Sequence, residues 1–278
     1  MKKLISLCIV IISYASLMNT VNAEPESDLE TIKSYFKNRF PDVMMDDYVN
    51  GVYALDENSR TQWESIEEFP PYEIDVDAGE ELFNTPFANK KTYSDCFDNG
   101  GIGVKQNYPK FDQESGQVIT LELAINNCRK DNGEEPLSYG KGEIASLSAY
   151  MAYTSRDETI NVQIPDDPRA HEAYEDGKKF FYSRRGQLNM ACSTCHMASA
   201  GNLIRADILS PALGHTSHFP VYRSKWEALG TLHRRYVGCN KQVRAKPFAL
   251  QSEEYRNLEY FHTYMSNGLV INGPGSRK

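Results

Sequence analysis

The chain has 278 residues, 24% of them charged and 40% hydrophobic, with a formal net charge of -8 at neutral pH. An acidic balance disfavours nucleic acid or an anionic lipid surface as a partner, and the length accommodates two domains of ordinary size. Beyond the N-terminus no segment is apolar enough to cross a bilayer, which takes about 20 apolar residues.

Lys2 and Lys3, the apolar run from Leu4 to Leu17 and the small-residue ending Val21-Asn22-Ala23 have the make-up of a secretory signal peptide. Cleavage after Ala23 and residence in the periplasm are expected, because the apolar run is short for a span. Residues 24–75 read as an N-terminal extension rich in charge, Tyr and Pro. It holds an amphipathic helix over Asp28–Arg39 and an acidic stretch from Glu64 to Tyr72 that closes on Pro70-Pro71. Residues 76–160 read as one domain, 161–174 as a linker around Pro165-Asp166-Asp167-Pro168, and 175–278 as a second domain. Aromatic residues at helical spacing mark closing helices over Gly142–Thr154 and Glu253–Met265, and these stripes read as core.

In the second domain, Cys192-Ser193-Thr194-Cys195-His196 spells Cys-x-x-Cys-His, the attachment sequence of a c-type haem. Two thiols three positions apart can add to the two vinyl groups of a haem, and the adjacent imidazole becomes the proximal iron ligand. A thioredoxin-like dithiol is the competing reading, but it belongs at a strand end and needs no His. The motif occurs once, so one covalent haem is expected.

Of the six cysteines, Cys8 leaves with the signal peptide and Cys192 and Cys195 hold the haem. Cys96, Cys128 and Cys239 remain, an odd number for an oxidising compartment. Laying the sequence on itself with an offset of 111 places Cys128 on Cys239, Pro109 on Pro220, Thr120-Leu121 on Thr231-Leu232, Leu147 on Leu258 and Tyr153 on Tyr264. About ten of roughly 48 positions match without a gap, the signature of duplicated units. Upstream, an offset of 99 lays Tyr93-Ser94-Asp95-Cys96-Phe97 over the haem motif. The expected fold is therefore mainly α, with two cytochrome c-like domains related by internal duplication, the first without haem. Cys96 and Cys128 would occupy the places of Cys195 and Cys239 with no haem between them. In the periplasm such thiols should form a disulfide, which leaves Cys239 unpaired.

Candidates for the distal iron ligand are Met197, Met265, His215, His218, His233, His262 and Cys239. Met265 is the conventional choice for a small cytochrome. Cys239 is favoured as the odd thiol, as the repeat partner of a cysteine, and by the basic run His233-Arg234-Arg235-Tyr236-Val237-Gly238-Cys239-Asn240-Lys241-Gln242-Val243-Arg244. Cations beside a thiol favour the thiolate; the same arginines could also face haem carboxylates or solvent.

Gly186-Gln187-Leu188-Asn189 ahead of Ala191-Cys192-Ser193-Thr194-Cys195-His196, and then His233 to Asn240, closely resemble the sulfur-oxidation cytochrome family SoxA. Leu147 to Tyr153 resembles it as well. The resemblance spans nearly all of the chain after the leader, and the departures at Tyr93 and Phe97 match members with one haem. It implies a heterodimer with a small SoxX-type cytochrome c, which joins thiosulfate oxidatively to a cysteine of the carrier SoxYZ and passes electrons to cytochrome c. That activity is an L-cysteine S-thiosulfotransferase. The family's catalytic ligand cysteine, often a persulfide, falls on Cys239, and its substrate-binding arginine on Arg235. Proximal ligation falls on His196 and thioether attachment on Cys192 and Cys195. The runner-up is a plain periplasmic electron-transfer cytochrome c with a decayed second haem domain. A carrier needs neither Arg235 nor Cys239, so that pair separates the two readings.

Overall fold

The computed structural model describes residues 25–277, so the leader-like segment 1–23 lies outside the described residues. Helix α1 (Pro25–Arg39) starts at a proline, which is at ease in a first turn where its missing N–H costs nothing. Glu26 and Asp28 in the first turn and Lys37 and Arg39 in the last suit the helix dipole. A kinked run over Met45–Ala54 leads to α2 (Glu57–Glu67), where Asp56 accepts the Ser59 N–H at 2.7 Å. Helix α3 (Glu73–Asn84) follows, then short turns and the hairpin β1 (Lys110–Asp112) and β2 (Gln117–Ile119). Thr120 caps α4 (Leu121–Asp131) by accepting the Leu123 N–H, and α5 (Glu143–Tyr153) closes this half.

The second half likewise runs helix, turn, hairpin and two helices, with an added hairpin and a closing strand. Helix α6 (Pro168–Tyr182) is capped by Asp167 and starts on Pro168. A short wide-turn helix carries Thr194–Ala198. The hairpin β3 (Leu203–Ile204) and β4 (Asp207–Ile208) follows, then β5 (Val221–Arg223) and β6 (Ala228–Gly230), α7 (Leu232–Gln242) and α8 (Glu253–Tyr264). Strand β7 (Gly275–Arg277) then returns parallel to β5. Among the described residues no helix is long and apolar enough to cross a membrane.

Two helix crossings organise the halves. Gly79 on α3 meets the backbone of Ser146 on α5 so closely that a Cβ would sit 2.1 Å from the carbonyl oxygen. Gly177 on α6 meets Asn257 on α8 in the same way, at 2.0 Å. One apolar core lies under α4 and α5, with Phe83, Tyr93, Leu121, Ile125 and Leu147. The larger one lies under α6 and α8, with Phe180, Phe181, Tyr236, Leu258 and Phe261.

The N-terminal extension precedes the first half in sequence but packs on the second. Ile32, Phe36 and Tyr48 enter the larger core. Asp28 binds Lys178 at 2.6 Å and the Tyr174 hydroxyl at 2.9 Å on α6. The segment between the halves is pinned as well: Ile160 N–H donates to the Leu269 carbonyl at 2.8 Å, and Val162 N–H to Asn267 Oδ1 at 2.9 Å.

Candidate functional site

The Cys-x-x-Cys-His residues sit on a short, wide helical turn whose far end is held by α1. Arg39 donates to the Ala198 and Ala200 carbonyls, each at 3.0 Å. His196 places Nδ1 2.9 Å from the Ser210 carbonyl, so its other ring nitrogen is the one left for a metal. Cys192 and Cys195 are free thiols on the same turn. Burial raises both: Cys192 to about 12, with the nearby Cys239 adding to the rise, and Cys195 by burial and the same neighbour. Such thiols stay protonated and uncharged in this environment.

Cys239 behaves differently. It lies in the last turn of α7, where a helix dipole disfavours an anion. Burial also opposes its ionisation, yet its value falls to about 7, because Arg235, a hydrogen bond with His196 and the Arg223 charge outweigh the burial. Arg235 stands one turn before Cys239 on the same helix face. Its guanidinium lies beside Gly238, where an added Cβ would find only Arg235 Nη1 within 4 Å, at 4.0 Å.

The rest of the basic run goes elsewhere. Arg234 stacks on Trp226 at 4.3 Å and donates to the Leu229 carbonyl at 3.1 Å, fastening α7 to its hairpin. His233 is buried, accepts the Gln251 N–H at 3.1 Å on Nδ1 and places Nε2 3.0 Å from the Glu259 carboxylate, so it packs into the core away from Cys239. Lys241 and Arg244 are exposed. Among the other ligand candidates, Met265 is packed in the larger core and Met197 faces the Tyr182 hydroxyl at 3.4 Å. His262 is hydrogen-bonded to Tyr236 at 3.0 Å, and His215 lies 4.5 Å from the His196 ring, centre to centre. Burial pushes His262 down to about 3 and holds His215 well below an ordinary imidazole.

The donor set fits a c-type haem. Two neutral thiols at attachment spacing, an imidazole oriented by a carbonyl, and a thiol favoured as thiolate by that imidazole and by arginine would supply the covalent anchors and a His/Cys pair for iron. The residues that would hold it are Cys192, Cys195, His196 and Cys239.

In the first half, Cys96 and Cys128 are joined by a disulfide, 32 residues apart in sequence. Tyr93, Phe83 and Phe87 fill the interior beside it, with ring centres 4.8 to 5.9 Å apart. Arg129 donates to the Tyr93 hydroxyl at 3.0 Å.

Arg223 escaped the sequence reading. It approaches Cys239 from β5, outside any motif. The repeat held a signal for it, since Arg223 falls on Asp112 at the same offset of 111, a reversal of charge between otherwise matched hairpins.

The family model for the SoxA/TsdA cytochrome c domain matches residues 78–160, the half without the haem motif. The L-cysteine S-thiosulfotransferase subunit SoxA of Chlorobaculum tepidum is 58% identical over 253 residues, covering 91% of this chain and 88% of the relative. That of Allochromatium vinosum is 57% identical over 257 residues, covering 92% and 91%. The crystal structure of SoxXA from P. pantotrophus contains a chain that superposes with a TM-score of 0.71 at 29% identity, covering 78% of this chain and 84% of that one.

Proposed function

The chain belongs to the SoxA family of L-cysteine S-thiosulfotransferase subunits, and from that premise we propose that it is the catalytic, single-haem subunit of a periplasmic SoxA–SoxX heterodimer. The heterodimer would couple thiosulfate to a cysteine of the carrier SoxYZ. The observation that carries this reading is that the Arg235 charge and a hydrogen bond with His196 act on the buried Cys239 thiol and lower its value despite burial. Support for export comes from the leader-like segment and from the Cys96–Cys128 disulfide, a bond at home in an oxidising compartment. The shared order of elements and the like glycine crossings support an internal duplication in which the domain over 76–160 lost its haem and the one over 175–278, joined through 161–174, kept it.

Thiosulfate is a dianion, and a guanidinium fork offers it two charge-assisted hydrogen bonds where an ammonium offers a point charge. Arg235 would hold the sulfonate oxygens and present the outer sulfur to Cys239. The Cys239 thiolate and thiosulfate then form an S–S bond and together release two electrons. A haem held by Cys192, Cys195 and His196 would supply one-electron acceptance, so the two-electron coupling would call for a second acceptor, a need the partner cytochrome would meet. The carrier's thiolate next attacks the outer sulfur of the bound group. A bond from carrier cysteine to that sulfur forms, the bond to Cys239 breaks, and the Cys239 thiolate is restored. Its lowered value of about 7 makes Cys239 a good leaving group in this exchange. A persulfide at Cys239 would run the same steps one sulfur further out.

Arg235→Ala tests the assignment. The variant should retain fold and one haem mass, yet lose about 100-fold or more of thiosulfate-dependent turnover with carrier and acceptor present. Arg235→Lys should recover only part. Full activity in Arg235→Ala would shift the reading to a plain electron carrier.

A further inference from the structure

His196 and the carbonyl that orients it, on Ser210, stand 14 residues apart in the chain. Between them lie only the end of a short turn and the hairpin of β3 and β4, with two residues in each strand. A two-stranded hairpin of that size is marginal in water by itself. Leu203 and Ile204 on it are 70% and 44% exposed, so it buries little apolar surface of its own. Something else must hold this loop in place.

The N-terminal extension does so at several points. Arg39 Nη2, at the end of α1, donates to the Ala198 and Ala200 carbonyls, each at 3.0 Å. The Phe40 ring closes on Gly201, where an added Cβ would meet it at 3.2 Å. Gly51, at the kink after α1, faces Ser210: a Cβ on it would stand 3.8 Å from Ser210 Cβ. The Tyr48 carbonyl lies so close to Gly214 that a Cβ there would sit 2.2 Å from it. Tyr48 is itself buried, and its hydroxyl donates to the Phe36 carbonyl of α1 at 3.0 Å. Ala200, Ala212 and Leu213 of the loop join Phe36 and Tyr48 in the larger core. The extension therefore grips the loop on the His196 side and again on the Ser210 side.

A carbonyl on one imidazole nitrogen fixes the tautomer and the ring orientation, and makes the other nitrogen a stronger donor. Whatever holds Ser210 thus sets the donor strength of His196. We propose that the N-terminal extension is a clamp on the proximal side of the site, with Arg39 as its positioning residue. It keeps the Ser210 carbonyl on His196 and so holds down the reduction potential of a haem ligated there. This rests on the haem reading of the motif, and it gives the extension a part in the redox chemistry beyond packing. Losing Arg39 has two opposed effects. A looser loop weakens the bond from His196 to Ser210, makes the imidazole a poorer donor and raises the potential. Loss of a cation favours the ferric state and lowers it. Arg39 is partly exposed, so solvent screens its charge, and the rise should win.

The test uses the mature protein with its partner cytochrome, in R39Q, R39K and D28N. In R39Q the Gly201 and Ala212 amides, bonded to the Leu209 and His196 carbonyls at 2.8 Å, should exchange hydrogen about tenfold faster, two bonds from a charged donor being lost. The reduction potential should rise, and the KM for thiosulfate should stay at the wild-type value. R39K keeps the charge on a different head group and should show smaller changes of the same sign. D28N is the control for general loosening, because it frees the other end of α1 from Lys178 and Tyr174. It should lower the melting temperature and leave the potential unchanged. An unchanged or lowered potential in R39Q overturns the proposal, and so does a shift in D28N as large as that in R39Q. A raised KM at wild-type potential overturns it too, since Arg39 would then serve the substrate. If R39Q does not accumulate with haem, R39K decides, and wild-type exchange and potential in it overturn the proposal. An unmutated protein without haem mass would instead sink the haem reading itself, an outcome plainly distinct from these.

Discussion

Helices α4 and α7 occupy matching places, and their cysteines have opposite fates. Each follows a two-stranded hairpin entered through a cis proline bond, at Pro109 and Pro220, and each begins after a threonine, Thr120 and Thr231. Each holds a buried polar link to the closing helix. Glu122 accepts from Ser148 at 2.9 Å on one side, and His233 meets Glu259 at 3.0 Å on the other, at positions that correspond by the offset of 111. Yet Cys128 is oxidised onto Cys96, while Cys239 is free and held near a value of 7. The difference comes from few side chains. Ala124 stands where α7 has Arg235, Asp112 where β5 has Arg223, and Phe97 where the haem motif has His196. The first half has neither those cations nor that imidazole at the matching positions, and aromatic rings lie beside its disulfide. Both halves are held by a glycine crossing and apolar packing, and they differ at a handful of polar positions around the cysteine.

The sharpest way to separate the halves is to remove the disulfide. The Cys96→Ser/Cys128→Ser double variant opens a cross-link spanning 32 residues, a loop-closure loss of roughly 3–4 kcal/mol. Chemical denaturation should show that loss, and the haem absorption spectrum should be unchanged. A disturbed haem spectrum would mean that the first half supports the site directly.

Next in size are the crossings. Gly79→Ala and Gly177→Ala each force a methyl onto a backbone carbonyl, at 2.1 and 2.0 Å, and each should cost about 1–3 kcal/mol. Thermal melting should report similar losses for both. Haem absorption should change only in Gly177→Ala, whose helix leads into the motif. Unequal losses would show that the likeness of the two crossings is not energetic.

The smallest effect belongs to Asp75, on the α3 side of the first half. Burial holds its carboxyl above the ordinary value, against a hydrogen bond from Ser146 at 3.3 Å. With the folded value above the unfolded one, the wild type loses stability as pH rises from the unfolded value through the folded one. Asp75→Asn removes that cost. It should raise stability at pH 7 by less than about 1 kcal/mol, partial exposure being allowed for, and make no difference near pH 3, where both states are protonated. A gain that persists at pH 3 would trace to packing instead.

Local features of the site were legible because they live within one helical turn. The spacing of Cys192, Cys195 and His196, and the four-residue step from Arg235 to Cys239, place side chains on one face wherever a helix forms. Helices α5 and α8 could be bounded to within a residue at each end by their aromatic periodicity. The basic run was less transparent. Its spacing made His233, Arg234, Lys241 and Arg244 look equivalent to Arg235, and only packing separates a histidine locked to Glu259 from a guanidinium lying beside a thiol.

The sequence by itself determined the covalent chemistry this chain can carry: one haem motif, one odd thiol, and an arginine one turn from it. These depend on residue type and short spacing, which the backbone converts to geometry without help. The tertiary structure alone decided that Arg223 joins Arg235 at that thiol. Arg223 and Arg277 stand on separate strands that meet only when the end of the chain pairs with β5. Likewise, α1 comes from the other end to tie down the haem turn through Arg39. Contacts of that range follow from how whole elements bury their apolar faces, and no local pattern in the chain encodes them.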